Sequence, residues 1–125
     1  MKNSMTGLLS AMVLAVAGVS SSTAWSESAY PKAEKNSDTY CAQCHGVLRN
    51  GKGINAKHMS VQPRDHADGK AMGDLPGTEI FKAIKEGGPA VNKSVLMPVW
   101  GGVLSDAEIQ EMVLYLREVC KCGKK

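Results

Sequence analysis

Aromatic side chains are scarce in this chain of 125 residues: Phe, Trp and Tyr make up 5% of it, with a single Phe. That supply is thin for the core of one small domain, which is what the length predicts. Apolar residues do not alternate with polar ones, as they do in half-buried strands, and there are no internal repeats or low-complexity tracts. These absences argue against β-rich and repeat architectures. The formal charge of +3 is too small to favour nucleic acid or another strongly charged partner.

Long apolar runs are also absent, except for one near the N-terminus. Residues 8–19 are almost wholly apolar, follow the positive charge of Lys2 and precede a cluster of small residues. This pattern is typical of a secretory signal peptide, and the run is short for a bilayer span. We expect cleavage after Ala24 or, alternatively, after Ser26 or Ala29, and a periplasmic or otherwise exported mature chain. A retained membrane anchor is the competing interpretation.

The chain contains four cysteines, and two of them lie in the stretch Cys41-Ala42-Gln43-Cys44-His45. This C-x-x-C-H pattern is typical of covalent c-type haem attachment. Two thiols on one helical turn can reach the two vinyl groups of one haem, and the histidine that follows is then held against the iron as its proximal ligand. A single motif predicts one covalently bound haem c, whose apolar plate would compensate for the scarce aromatic residues.

Two helices are predicted before and after a long loop. The first runs from about Ala33 into His45, and the Asn-Ser-Asp triplet at 36–38 weakens it or supplies the N-cap of a later start. The second begins with Thr78 as its N-cap and ends at the Gly-Gly-Pro of residues 87–89.

The clearest helix signals lie near the C-terminus. Ser105 and Glu108 form an S-x-x-E capping box, which predicts the start of a third helix. Its buried face is predicted from the spacing i, i+3, i+4, i+7 to consist of Ile109, Met112, Val113 and Leu116. Between the first two helices, residues 46–77 are rich in glycine and proline and are predicted to form a loop.

A six-coordinate haem needs a second axial ligand, and Met97 is the leading candidate. Pro98 lacks a backbone donor and holds Met97 extended, so the methionine side chain can leave the path of the chain. His58 is the alternative, and bis-histidine ligation would lower the reduction potential, whereas methionine raises it. Trp100 can cover a haem edge or donate a hydrogen bond from its indole nitrogen. Arg64 is a candidate for charge-assisted hydrogen bonds to the haem propionates.

The chain resembles a small class I monohaem c-type cytochrome. The resemblance rests on residues 40–46, 51–53, 63–65, 80–88, 97–100 and 104–117. It implies an all-α, cytochrome c-like fold of three to five helices with long loops around one haem, in which the first and last helices cross near the haem. It also implies His45 and Met97 as axial ligands, Pro63 among the haem-binding residues, and electron transfer as the activity.

Together, the signal-like pattern and the resemblance divide the chain into a cleaved signal peptide (1–24), a flexible lead (25–32), a cytochrome c domain (33–119) and a Cys/Lys-rich tail (120–125). The resemblance implies a carrier of single electrons between transient redox partners, not an enzyme; we expect no nucleic-acid partner and no stable membrane insertion after signal cleavage. Exposed lysines are expected to rim the haem edge or simply to be solvated: Lys52, Lys57, Lys70 and Lys93. Two alternatives stay open. One is a haem subunit of a larger reductase or oxidase complex; the other is a sensing or peroxidase protein whose sixth ligand is labile, or is a histidine or cysteine.

Two features depart from the family pattern. His66 stands where many relatives carry an aromatic residue, and we expect it at the surface rather than at the haem edge. Cys120 and Cys122 lie just past the last helix, where they form a disulfide, stay free or link two copies as a dimer. A zinc site in which they join Cys41 and Cys44 is the rival to haem. The one-residue spacing of the tail pair and the expected oxidising compartment both oppose zinc.

Overall fold

The computed structural model describes residues 27–123, so the predicted signal peptide lies outside the described residues. Within that range the chain forms helices and loops and contains no strand. The predicted all-α class is therefore confirmed. Four helices account for the regular structure of this part of the chain when the continuous N-terminal helix is counted once.

The N-terminal helix changes its winding halfway along. Helix α1 (Pro31–Asn36) passes directly into a π-helical segment, Ser37–Cys41, and then into helix α2 (Ala42–His45). Its first residue is a proline, which suits a position whose N–H has no partner within the helix. The predicted start at Ala33 was therefore two residues late. Of the two alternatives for residues 36–38, the N-cap of a later start was wrong, because no side chain there caps the helix and the helix continues through them.

The long segment predicted as loop contains two short helical pieces. One is a 3₁₀ turn, Ala56–His58, and the other is helix α3 (Gly69–Gly73). The carboxylate of Asp68 caps α3 by accepting hydrogen bonds from the backbone N–H groups of Lys70 and Ala71, both at 3.0 Å. A helix bounded by glycines at both ends gives almost no propensity signal, which is why the sequence pattern did not reveal it.

Helix α4 (Gly77–Glu86) begins earlier than predicted. Pro76 is its N-cap and no side chain makes a capping hydrogen bond, so the expected role of Thr78 was wrong. The predicted end is confirmed, because Gly87 has a φ of +84°, a backbone conformation that favours glycine. A 3₁₀ turn, Gly88–Val91, follows at once.

Helix α5 (Asp106–Val119) is the centre of the core. Its capping box is confirmed, since Ser105 N donates to the Glu108 carboxylate at 2.9 Å and Glu108 N donates to the Ser105 hydroxyl at 3.3 Å. The predicted buried face is also confirmed, as Ile109, Met112, Val113 and Leu116 are all buried. Helix α5 packs against α1 and α4, and Ala33 is wholly buried in the same core.

Candidate functional site

A cavity of about 470 Å³ opens beside the core, in the size range of small-molecule and cofactor sites. Its walls come from the π-helical segment, α2, the long loop, α3, α4, the 97–104 stretch and α5. Aliphatic and methionine side chains form much of the lining, among them Leu75, Ile80, Ile84, Leu104, Met112 and Leu116. All seven residues predicted to bind haem lie on this one cavity: Cys41, Cys44, His45, Pro63, Arg64, Met97 and Trp100.

The two motif cysteines lie where the N-terminal helix reaches the cavity. Cys41 ends the π-helical segment and Cys44 lies in the last turn of α2, so the two thiols are about one turn apart on the same wall. Both are free and partly buried. Burial raises the pKa of the Cys41 thiol to about 11, against the opposing charge of Arg49.

His45, the last residue of α2, has a defined tautomer. Its Nδ1 lies 3.0 Å from the carbonyl oxygen of Arg64, and because a carbonyl only accepts, Nδ1 carries the proton. The second ring nitrogen, Nε2, is then unprotonated and free to bind a metal ion, as in most histidine ligands. Burial lowers the pKa of His45, with a smaller opposing contribution from this hydrogen bond. The neutral imidazole is the form that binds iron.

Close backbone packing holds the motif in place. Gly53 N donates to the carbonyl of Cys44 at 3.0 Å, and Asn55 N donates to that of Gln43 at 2.9 Å, so the loop occupies the carbonyl end of α2. A Cβ atom at Gly53 would lie 2.3 Å from the Gln43 carbonyl oxygen. Only glycine allows this approach.

Met97 reaches the cavity from a segment that is hydrogen-bonded to the end of α4. Its carbonyl accepts from Gly88 N at 3.0 Å, while Trp100 N donates to the carbonyl of Ile84 at 3.1 Å. These bonds satisfy backbone groups at the C-terminus of α4 and fix the position of Met97 on the wall. The sequence argument from Pro98 selected a residue that lines the cavity, but it did not reveal this anchoring, which depends on contacts between distant positions.

Trp100 and Arg64 lie at different parts of the cavity. The Trp100 ring packs on the ring of Tyr40, with centroids 5.2 Å apart. Arg64 lies on the His45 side, where its charge is a secondary cause, after burial, of the lowered pKa of that imidazole. Of the four lysines expected around the edge, Lys93 alone is among the cavity-lining residues.

The other two histidines are placed differently from expectation. His58, the alternative axial ligand, is exposed in its 3₁₀ turn and does not line the cavity. His66 was expected at the surface, and this was wrong: it lines the cavity and its ring stacks on that of His45, with centroids 4.1 Å apart and planes 16° apart. Sequence reasoning missed this because the backbone bond that brings His66 inward, from its N–H to the carbonyl of Arg49 at 2.7 Å, joins loop positions 17 apart.

The tail cysteines form a disulfide with each other. Cys120 and Cys122 are bonded, with their Cα atoms 5.1 Å apart, and neither lines the cavity. This pairing overturns the tetrathiolate zinc site and uses both thiols on which a covalent dimer would depend. Groups of three or more histidine, cysteine or carboxylate side chains suited to a metal ion do not occur among residues 27–123.

The residues on the cavity fit a covalently bound haem. They offer two free thiols one turn apart, an imidazole whose tautomer leaves Nε2 for iron, a methionine thioether and an apolar wall. This donor set matches a c-type haem with one nitrogen and one sulfur axial ligand. The chemistry of these groups therefore agrees with the motif from which the site was predicted.

Comparison with known families gives a match. A family model described as Cytochrome C oxidase, cbb3-type, subunit III, matches residues 28–116. A comparison with curated proteins finds no match. Helices within the described range all fall short of the length and apolar character needed to cross a membrane.

Proposed function

The chain belongs to the c-type cytochrome domains covered by this family model, and from that membership we propose that it is an exported monohaem cytochrome carrying single electrons between redox partners. A cytochrome c domain transfers electrons through its haem, whose iron alternates between the ferric and ferrous states. The observation that carries the proposal is the shared cavity, where both motif cysteines, His45 and Met97 meet.

In this proposal Cys41 and Cys44 anchor the haem, and His45 and Met97 are its axial ligands. The Nδ1 bond to Arg64 supports His45, because it orients the ring and raises the basicity of the free nitrogen. The cavity position of Met97 and the exposure of His58 favour the methionine of the two candidates. Arg64, Pro63 and Trp100 then contact the haem, with Arg64 as the cation available to a propionate.

Partners dock where the cavity meets solvent, and aliphatic side chains dominate that rim. Val61 and Leu96 line the cavity yet keep 47% and 58% of their surface exposed, and Val95 and Val99 beside Met97 are exposed as well. The charged residues on the lining are of both signs: Arg64, Asp65, Asp68, Glu79 and Lys93. Apolar contact without strong electrostatic steering suits brief docking and rapid release.

Export completes the proposal. The signal-like segment ending at Ala24 supports export of the mature chain to the periplasm or an equivalent compartment, and the tail disulfide is compatible with such an oxidising compartment. The single C-x-x-C-H motif gives one covalent haem per chain.

A second candidate function is a haem subunit of a larger oxidase complex. The description of the matching family, which names an oxidase subunit, favours it. The carrier and the subunit share the same cavity and differ in whether a partner stays bound. The native mass of the protein purified from its own host distinguishes them: a mass near that of one chain supports the carrier.

The proposal is tested on the full chain expressed with its export signal in a host that attaches haem c. We expect a pyridine haemochrome spectrum of two thioether bonds, an intact mass of one chain plus one haem after signal removal, and the near-infrared ferric absorption of methionine ligation. Full two-thioether product from Cys41→Ala or Cys44→Ala would contradict the attachment assignment. A ferric spectrum with two nitrogen ligands would contradict Met97.

A further inference from the structure

His66 makes an unusual contact with the residue proposed as the proximal ligand. The two imidazoles lie face to face, with centroids 4.1 Å apart and planes within 16° of parallel. The hydrogen bond from His45 Nδ1 to the Arg64 carbonyl fixes one edge of the proximal ring. This hydrogen bond restrains rotation of the His45 ring about χ2 at one edge only. The distribution of χ2 angles is broad in histidine, so a single bond leaves the ring some freedom to rotate. A flat group against the ring face supplies the second restraint.

The backbone around His66 is held independently of its side chain. His66 N donates to the Arg49 carbonyl at 2.7 Å, and the Asp65 carboxylate accepts from Ala67 N at 2.8 Å and from Asp68 N at 3.1 Å. A Cβ at Gly51 would lie 2.6 Å from the Pro63 carbonyl oxygen, so the two stretches of loop are in close contact. This anchoring directs the imidazole of His66 onto His45.

Arg49, whose carbonyl accepts the hydrogen bond from His66 N, is itself held in place by its side chain. Its side chain is buried and forms a 2.8 Å ion pair with Asp38 of the π-helical segment. Its Nε donates to the hydroxyl of Tyr115 on α5 at 2.9 Å. The stacking ring is therefore connected to the helix that carries the cysteines and to the helix at the centre of the core.

The imidazole has two features that an aliphatic side chain lacks. One is its flat face, which lies against His45. The other is Nδ1, which is buried and has no hydrogen-bond partner among the described residues. A buried polar atom without a partner is unfavourable, so filling space does not explain the choice of histidine.

We propose that His66 is a positioning residue for the proximal ligand, because its stacked ring fixes the plane in which the His45 imidazole meets the haem iron. This inference rests on the proposed function, in which His45 is that ligand. The orientation of an axial imidazole determines how unpaired spin is distributed over a ferric haem, so the role has a spectroscopic signature that does not depend on electron-transfer activity.

The experiment uses the haem-loaded full-length product. In the wild-type ferrous protein we expect nuclear Overhauser contacts between the ring protons of His66 and His45. In the ferric proteins we expect His66→Phe, which keeps a flat ring, to retain the order of the four haem-methyl NMR shifts. His66→Leu, which keeps bulk without a ring, should rearrange that order and change the EPR g-anisotropy. Val103→Ala, at an exposed position that does not line the cavity, serves as the control and should leave both unchanged.

The outcomes separate the two proposals. Absence of a two-thioether haem spectrum in the wild type would overturn the proposed function and this inference with it. A normal spectrum without the Overhauser contacts would overturn the inference alone, and this measurement does not depend on the folding of any variant. Wild-type haem-methyl shifts in His66→Leu would also overturn the inference. Shifts altered as much in His66→Phe as in His66→Leu would overturn it too, because a ring nitrogen of His66, and not its flat ring, would then be the feature that matters.

Discussion

The Nε of Arg49 donates a 2.9 Å hydrogen bond to the hydroxyl of Tyr115, although 66 positions separate the two residues. Both side chains are buried, and the guanidinium also lies 5.6 Å from the centre of the Tyr115 ring. Asp38 pairs with the same guanidinium from the π-helical segment. The buried guanidinium of Arg49 thus joins the loop after the haem motif to the π-helical segment and to helix α5.

Removal of the tyrosine hydroxyl should destabilise the protein measurably. We expect Tyr115→Phe to lower the free energy of unfolding by about 1–2 kcal/mol, because a charged donor is left buried without its partner. Urea unfolding of the haem-loaded protein measures the change. Tyr40→Phe is the matched control: Tyr40 is 38% exposed, and its variant should stay within about 0.5 kcal/mol of wild type. Equal effects of the two substitutions would show that the Arg49 bond contributes nothing.

The parts of the fold predictable from sequence were those with local signals. The capping box of Ser105 and Glu108 and the apolar spacing after it depend on neighbours within two turns, and both are confirmed. Thr78 was misassigned because a threonine near a helix start resembles a cap, whereas here Pro76 ends the extended segment and the helix begins before Thr78. Helix α3 was missed because its capping residue, Asp68, precedes a glycine-bounded turn of low propensity.

The residues of the site also divide into those that local sequence patterns indicate and those that they do not. The motif residues and Met97 could be proposed from spacing and a following proline, which are visible in the sequence, and the structure brings them to one cavity. The position of His66 could not be predicted, since it depends on a backbone hydrogen bond to Arg49. The φ of +57° at Arg49 is not indicated by any sequence pattern. Long-range contacts of this kind decide which of several similar side chains faces the cavity, and they follow only from the assembled fold.

Gly53 should tolerate no side chain. We expect Gly53→Ala to cost about 3 kcal/mol, the upper end of the usual overpacking range, because the new Cβ would collide with backbone atoms of Gln43 and Cys44. The yield of haem-loaded protein and its urea midpoint measure the effect. Gly102→Ala is the control, since a Cβ there has no atom within 4 Å and the change should be below about 0.5 kcal/mol. A normal yield and midpoint for Gly53→Ala would contradict the close packing of loop on motif.

The capping box should contribute stability that is lost at acid pH. Hydrogen bonds from Ser105, and then from Lys32, lower the pKa of Glu108 from 4.5 to about 2. Because the pKa of Glu108 is lower in the folded state than in the unfolded state, its contribution to stability is complete above pH 4.5 and is lost as the pH falls towards 2.

Ser105→Ala tests this dependence. The variant should lose about 1 kcal/mol near neutral pH and show a flatter decline of stability in acid than wild type. Thermal unfolding between neutral pH and pH 2 measures both. Thr78→Ala is the comparison, because Thr78 makes no capping bond at the start of α4. The backbone N–H of residue 105 still donates to the Glu108 carboxylate in this variant, so an acid decline as steep as that of wild type would exclude the Ser105 hydroxyl as its source.

Met97 should be distinguishable from the other methionines on the cavity. We expect Met97→Ala to abolish the near-infrared absorption of methionine ligation, to lower the reduction potential and to let carbon monoxide bind the ferrous protein readily. Met59→Ala, from the same cavity lining, should keep the wild-type spectrum and potential. Optical titration of both variants makes the comparison. Loss of the absorption in the Met59 variant instead would transfer the ligand role to that residue.

The aliphatic rim should make docking insensitive to salt. Self-exchange of electrons between ferric and ferrous copies reports on contact at the cavity mouth, and NMR line broadening of the mixture gives its rate. We expect the wild-type rate to change little with ionic strength, because the lining carries charges of both signs. Leu96→Asp should slow exchange and make it increase with added salt, since two like charges then meet at the contact.

Val103→Asp provides the matched control for this rim. Val103 is 58% exposed, as is Leu96, but it does not line the cavity. The two variants carry the same added charge, so any effect of net charge alone is common to both. A rate for Val103→Asp close to wild type, with a slow and salt-dependent rate for Leu96→Asp, places docking at the mouth beside Met97. Equal slowing by both substitutions would mean that overall charge, and not the aliphatic rim, governs the encounter.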